Sequence, residues 1–230
     1  MNKGKIIVIE GTDGSGKETQ SKKLYEYFKS IGKKVAYFSF PMYETATGKI
    51  VGGPYLGKGE ICESYFLEGS SKVDPLVSSL YYAADRRYNF LNTINDEIKK
   101  NDIIILDRYT TSNMGHQAGK AKDEEEFFKI INFIETVEYD LCELPIPDEV
   151  IFLHMPSRAS VDLRKGRKFT DGNESDFNHI LKAEEAYVKL ARLKNWEYIN
   201  CLKNSIYNDV NDIKSIDEIH EEIKKLVLKK

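Results

Sequence analysis

The apolar run Lys5-Ile-Ile-Val-Ile9 empties, after Glu10, into Gly11-Thr-Asp-Gly-Ser-Gly16-Lys17. Helical spacing follows at Leu24, Tyr27, Phe28 and Ile31, with Gly32 as a stop. A strand feeding a glycine-rich loop and then a helix commits the N-terminus to an α/β arrangement. It also names a ligand class. A Gly-x-x-x-x-Gly-Lys string leaves backbone N–H groups free to wrap phosphates, and the following helix points its positive end at them. Lys17 then reaches the β- and γ-phosphates of a nucleoside triphosphate. The candidate triphosphate-binding residues are Gly11, Thr12, Asp13, Gly14, Ser15, Gly16, Lys17, Glu18 and Thr19. One departs from the pattern: Glu18 stands where a Ser or Thr hydroxyl is expected on magnesium.

At 230 residues the chain suits one domain, 1–230, with a sizeable core. Charged residues make up 31% but the net charge is only -3, so bulk electrostatics argue against nucleic-acid or membrane partners. The apolar runs are strand-length, short of the roughly 20 residues a membrane helix needs. Strand-like sequence opens at Lys5, and no secretory leader is expected. Cys62, Cys142 and Cys201 are odd in number and scattered, which fits neither a zinc site nor a disulfide framework. A reducing cytoplasm is the expected compartment.

Five runs read as buried parallel strands: Ile6–Ile9, Val35–Phe38, Ile103–Leu106, Val150–Leu153 and Glu197–Asn200. Helical patterns lie between them. One spans Pro75 to Lys100, with Asp74 as N-cap and Pro75 at the first position. Another covers about Glu174 to Lys194, and a last one Ile216 to Leu228. Alternation of this kind gives a parallel sheet with helices on both faces. Ligands bind beyond the carboxyl ends of such strands, where the phosphate loop and Asp107 both fall.

The third run ends in Asp107-Arg108-Tyr109. A carboxylate there is placed to hold magnesium directly or through water, and Arg108 presents a planar fork to a phosphate. Tyr82 and Arg86, four apart, share a helix face. They can stack on a base and bond its edge, with Asp85 and Arg87 read as flanking surface charges. Arg158, Arg164, Lys165, Arg167 and Lys168, followed by Phe169-Thr-Asp-Gly-Asn, form a basic, glycine-containing stretch suited to a lid over transferring phosphates.

With these pieces placed, nearly the whole chain resembles the thymidylate kinase family, P-loop enzymes that pass a phosphate from ATP to dTMP. The resemblance implies a P-loop NTPase fold of three layers, α/β/α, with a five-stranded parallel sheet, a basic lid at about 158–173, magnesium, and a homodimer. It implies that Asp13 meets the nucleotide sugar and the metal region, so that Asp13, Asp107 and Glu18 are the candidate metal residues. Phe40-Pro41 matches the family's Phe-Pro. Leu80-Tyr-Tyr82-Ala-Ala-Asp-Arg86 matches the segment that stacks on thymine and binds its edge. Asp107-Arg-Tyr-Thr-Thr-Ser-Asn-Met-Gly-His-Gln117 matches the family signature, with Arg108 on the acceptor phosphate, Ser112 or Asn113 near the base, and Gln117 closing the segment. Family members with glycine at the position of Gly14 take a catalytic arginine from the lid, which makes Lys17, Arg108, Arg164 and Arg167 the implied catalytic group.

Four positions depart from the family: Glu18, Tyr43 where an Arg is common, His116 where an aromatic crowds the sugar 2′ position, and Gly172 where a lid Arg is common. Glu18 leaves three readings open: it meets magnesium, it points away while Thr19 and Asp107 serve, or the site is impaired. Two alternatives to a dTMP kinase also stand: another nucleoside monophosphate or deoxynucleoside kinase, the latter with Glu44 as base, and a nucleotide-binding regulator without turnover.

Overall fold

The computed structural model describes residues 4–164 and 176–228. Its centre is a parallel sheet of β1 (Lys5–Gly11), β2 (Val35–Ser39), β3 (Ile103–Asp107), β4 (Glu149–His154) and β5 (Glu197–Asn200), in the order β2-β3-β1-β4-β5. The expected strands are therefore present, each extended by at most a few residues. β1 and β3 are almost wholly buried because helices cover both faces, which is why they read as continuous apolar runs. Alternate residues serve opposite layers. Ile7 and Ile9 pack with Leu24, Phe28, Ile219 and Ile223 on one face, from α1 (Lys17–Ser30) and α9 (Ile216–Leu228). Ile6 and Val8 pack with Ile94, Ile98 and Ile104 on the other.

That second face meets a helix that the sequence pattern runs from Pro75 to Lys100. It is instead interrupted: α3 (Pro75–Asn89) widens through a π-type turn at Phe90–Ile94 before α4 (Asn95–Lys100). The turn re-phases the helix so that Ile94 and Ile98 both reach the sheet. Asp74 caps α3 by accepting from the amides of Leu76 and Val77, as its position predicts. A short α2 (Ala46–Ile50) follows β2. A third layer of packing joins α5 (Thr110–Ala118), α6 (Glu124–Glu135) and α8 (Phe177–Leu193) around Met114, Ile130, Ile134 and Leu190. α7 (Ser157–Arg164) leads out of β4.

Register places the ends of the central strands side by side. Asp107 pairs with Ile9 on one side and with Ser39 on the other, and Gly11 pairs with Leu153. The phosphate loop, the Asp107-Arg108 turn and the Phe40-Pro41 turn thus leave one edge of the sheet together.

Asp85 corrects a sequence reading. It is not a surface charge but 1% exposed. Its carboxylate accepts from the Met42 amide (3.0 Å), the Thr47 hydroxyl (2.9 Å) and the Asn89 amide (2.8 Å), tying the segment after β2 to α3. Pattern alone put it beside Arg86 on an exposed face; the chain following β2 folds over that face and buries it. Asp85→Ala leaves buried donors unpaired and is expected to cost about 1–3 kcal/mol in urea unfolding. Unchanged stability would mean that this carboxylate does not hold the segment.

Candidate functional site

The phosphate loop is built on backbone conformations that glycine supplies. Gly14 and Gly16 have φ of 83° and 85°, in the left-handed region. Gly16 stands at the N-cap of α1 and no side chain caps the helix there, so its first amides are left for a ligand. Gly14 matters for a second reason. A Cβ on it would come within 3.0 Å of the Ser160 carbonyl and hydroxyl oxygens and 3.4 Å of Arg164 Cδ. Its absence lets α7 close onto the loop, where the Ser160 hydroxyl donates to the Asp13 carbonyl. Lys17 is buried, and its ammonium donates to the Thr12 carbonyl at 2.9 Å and lies 3.7 Å from Asp13.

Asp13 stands between two cations. Its carboxylate also accepts from the Arg108 guanidinium, and Arg108 holds a left-handed φ of 66°, uncommon for a residue with a side chain. Burial alone would raise the Asp13 pKa, but Arg108 and Lys17 outweigh it and hold the carboxyl well below the usual range. Burial, reinforced by Arg108, pushes the Lys17 ammonium down. Arg108 further reaches the Ser112 hydroxyl (3.5 Å) and His116 Nε2 (3.4 Å). Beneath them Glu10, fully buried, accepts from the hydroxyls of Thr111 (2.7 Å) and Ser112 (2.9 Å). Its burial outweighs these contacts and raises its pKa.

One cleft of about 270 Å³ joins this cluster to the aromatic side. Of the residues the sequence singled out, Asp13, Gly14, Gly16, Lys17, Glu18 and Thr19 line it, together with Phe40, Pro41, Tyr82, Arg86, Asp107, Arg108, Ser112 and Asn113. Gly11, Thr12 and Ser15 lie beneath it, buried in the loop's own turn. Gln117 is fully buried and is not on the lining. Arg164 ends α7 against Gly14, 8% exposed, its Nε on the Ser160 carbonyl. Arg167, Lys165, Lys168 and the rest of the expected lid through 173 lie outside the described residues. Glu18 is turned to solvent, pairing with Lys22 one turn along.

Two buried carboxylates organise the site and were missed from the sequence. Glu10 was signalled, as the one charge directly ending the first strand's apolar run. Glu138 was not: it lies in a polar stretch far from everything it binds. It accepts from Arg86 through Nε and Nη2, from the Thr110 hydroxyl (3.0 Å) and from the Asn113 amide (2.8 Å). Arg86 thereby spends two nitrogens on the protein and keeps Nη1 for the cleft. Its guanidinium also stands 6.0 Å from the Tyr82 ring centroid. Asp107 has one oxygen on the Ser39 hydroxyl (3.0 Å), while the other is buried without a hydrogen-bond partner.

His116 lines the cleft and stacks on His179 of α8 at 5.6 Å between centroids. Burial, with Arg108 adding, holds His116 well below the usual histidine value despite Asp13. Burial and the Lys120 ammonium push His179 down to about 4, against Asp13 and Asp176, with Lys182 adding to the push. Both rings are neutral in the folded protein near neutrality. As pH falls below about 6.5 the unfolded chain binds protons that the folded one refuses, so stability declines on acidification. Between pH 6 and 4.5 the wild type is expected to lose about 1 kcal/mol per pH unit more than His179→Gln, measured by urea unfolding. Parallel curves would show that His179 is not held neutral.

Comparison with known proteins agrees with this geometry. The family model described as thymidylate kinase matches residues 9–213. A probable thymidylate kinase of Pyrococcus abyssi is 29% identical, over 98% of this chain and 96% of its own length. A thymidylate kinase of Prochlorococcus marinus (strain MIT 9312) is 31% identical, over 91% of this chain and 95% of its own. Among solved structures, thymidylate kinase from Candida albicans superposes with a TM-score of 0.70 at 20% identity, covering 99% of this chain and 92% of that one. The Ehrlichia chaffeensis thymidylate kinase gives 0.64 at 21%, covering 98% and 100%. With its phosphate loop, its Asp107-Arg108 turn and its five parallel strands in place, the chain belongs to the thymidylate kinase family of nucleoside monophosphate kinases.

Proposed function

We propose that this kinase transfers the γ-phosphate of ATP to dTMP, giving dTDP and ADP. The observation that carries the reading is the single cleft in which a phosphate loop and a base-sized aromatic pocket meet at Arg108. ATP lies along the loop with its γ-phosphate by Lys17. Thymine lies against Tyr82, with Arg86 Nη1 and Asn113 on its edge and Phe40 and Pro41 nearby. Arg108 holds the acceptor phosphate between the two nucleotides, and Asp13 orients Arg108 and the sugar. No general base is needed, because a dTMP phosphate oxygen is already an anion at neutral pH. The chain supplies positive charge and position instead, from Lys17, Arg108 and Arg164, with Arg167 as a further candidate.

Among the described residues no group of three or more His, Cys, Asp or Glu could cage a metal. Magnesium is commonly carried by substrate phosphates and water, with one or two carboxylates. The unpartnered buried oxygen of Asp107 fits that role, with Asp13 on the same cleft lining. When bound, the ion would neutralise charge on the phosphates. Glu18, engaged with Lys22, is not needed for it.

The nucleoside-kinase alternative needs a base, and Glu44 is exposed and off the cleft lining. We assign the chain to a homodimer through α3 and the turn that follows it, where Val77, Leu80, Ala84 and Tyr88 of α3 and Leu91 of the turn form an exposed stripe near heptad spacing. No described helix is long and apolar enough to cross a membrane. The three free thiols support a cytoplasmic site of action.

An ADP-release assay across dTMP, dUMP, UMP, CMP and dGMP tests the acceptor. The expected result is a kcat/KM for dTMP about 10²-fold or more above CMP and dGMP, since buried edge contacts penalise a mismatched base. Equal rates across the set would overturn the specificity.

A further inference from the structure

The cations of the cleft are matched to anions, with one exception. Lys17 and Arg108 flank Asp13, and Arg86 is bound by Glu138. Lys58 lines the same cleft, and among the described residues it pairs with no carboxylate. Its Nζ sits 4.0 Å from the centroid of the Tyr43 ring. An aromatic face attracts an ammonium but carries no net charge, so it orients the cation and leaves the charge available.

The seat is built into the backbone. The Lys58 amide donates to the Gly52 carbonyl (2.8 Å), and its own carbonyl accepts from Ile61 (2.8 Å) and Cys62 (3.1 Å). Gly57 turns the chain with φ of 70°. A Cβ on Gly52 would lie 2.8 Å from Tyr43 Cδ1, so the ring rests directly on main chain. Tyr43 packs with Tyr82 around Tyr55 and Leu56, which puts Lys58 on the wall that faces the acceptor rather than the donor.

We propose that Lys58, positioned by the Tyr43 ring, is a second cation gripping the phosphate of the acceptor nucleotide, alongside Arg108. The proposal rests on the reading of the acceptor as a nucleoside monophosphate. The position after Phe40-Pro41-Met42 carries no charge in this chain; a residue fifteen positions later brings the charge to that wall. Lys58 would be a binding residue and Tyr43 a positioning residue.

Calorimetric titration of the full chain with dTMP and, separately, with thymidine tests it. Lys58→Met is expected to weaken dTMP by about 10- to 100-fold, the loss of a charge-assisted contact, while thymidine changes by less than about twofold. Lys58→Arg should recover most of the loss. Tyr43→Ala should weaken dTMP and Tyr43→Phe should not, and Tyr43→Ala should add little on top of Lys58→Met, because both act on one contact. Unchanged dTMP affinity in Lys58→Met overturns the proposal, and so does an equal loss for dTMP and thymidine, which marks a structural role. If the wild type prefers another monophosphate, the acceptor assignment fails, and the same comparison with that nucleotide and its nucleoside decides Lys58. Binding of no monophosphate overturns both.

Discussion

The contact between Asp13 and Arg108 is the point from which the rest of the site is arranged. Arg108 keeps a left-handed backbone that would ordinarily cost free energy, and it follows the last residue of a buried strand, so its side chain has little choice of direction. Asp13 holds the guanidinium on one side and Lys17 on the other. One carboxylate shared by buried Lys17 and part-exposed Arg108 gives each cation a partner without cancelling the charge of the pair, which suits a site that handles phosphates. Glu10 below does not cancel it fully, because burial makes its ionisation costly and its oxygens are committed to Thr111 and Ser112.

The same logic of fixed buried charge runs through the Tyr82 side of the cleft. Glu138 is fully buried and gathers Arg86, Thr110 and Asn113 around one carboxylate. A buried ion pair is weak evidence for stability, since desolvation offsets attraction. Its value here is geometric: two nitrogens of Arg86 are locked, so the third is presented in a fixed direction. The phosphate-loop side of the cleft is arranged by backbone and the Tyr82 side by side-chain networks, and β3 and α5 connect the two.

What could be read from the chain follows from how local each constraint is. The strands were legible because a sheet covered on both faces demands unbroken apolar runs. The phosphate loop was legible because left-handed backbone at Gly14 and Gly16 requires glycine. Tyr82, Arg86 and Asp107-Arg108 were legible by spacing and position. Glu138 was not, because it meets Arg86 across 52 residues. Asp85 looked like a surface charge until the segment after β2 folded over it. Gln117 carries a motif position but sits behind the cleft, and Lys58 has no periodicity to announce it. Charges buried by distant segments leave no local signature.

The most direct test of the account is whether Arg108 serves the acceptor separately from the donor. Calorimetry on Arg108→Gln should show dTMP binding weakened by about 100-fold, with ATP affinity changed by less than about threefold. Unchanged dTMP affinity, or an equal loss for both nucleotides, would contradict a site in which Asp13 and Arg108 hold the junction between two nucleotides.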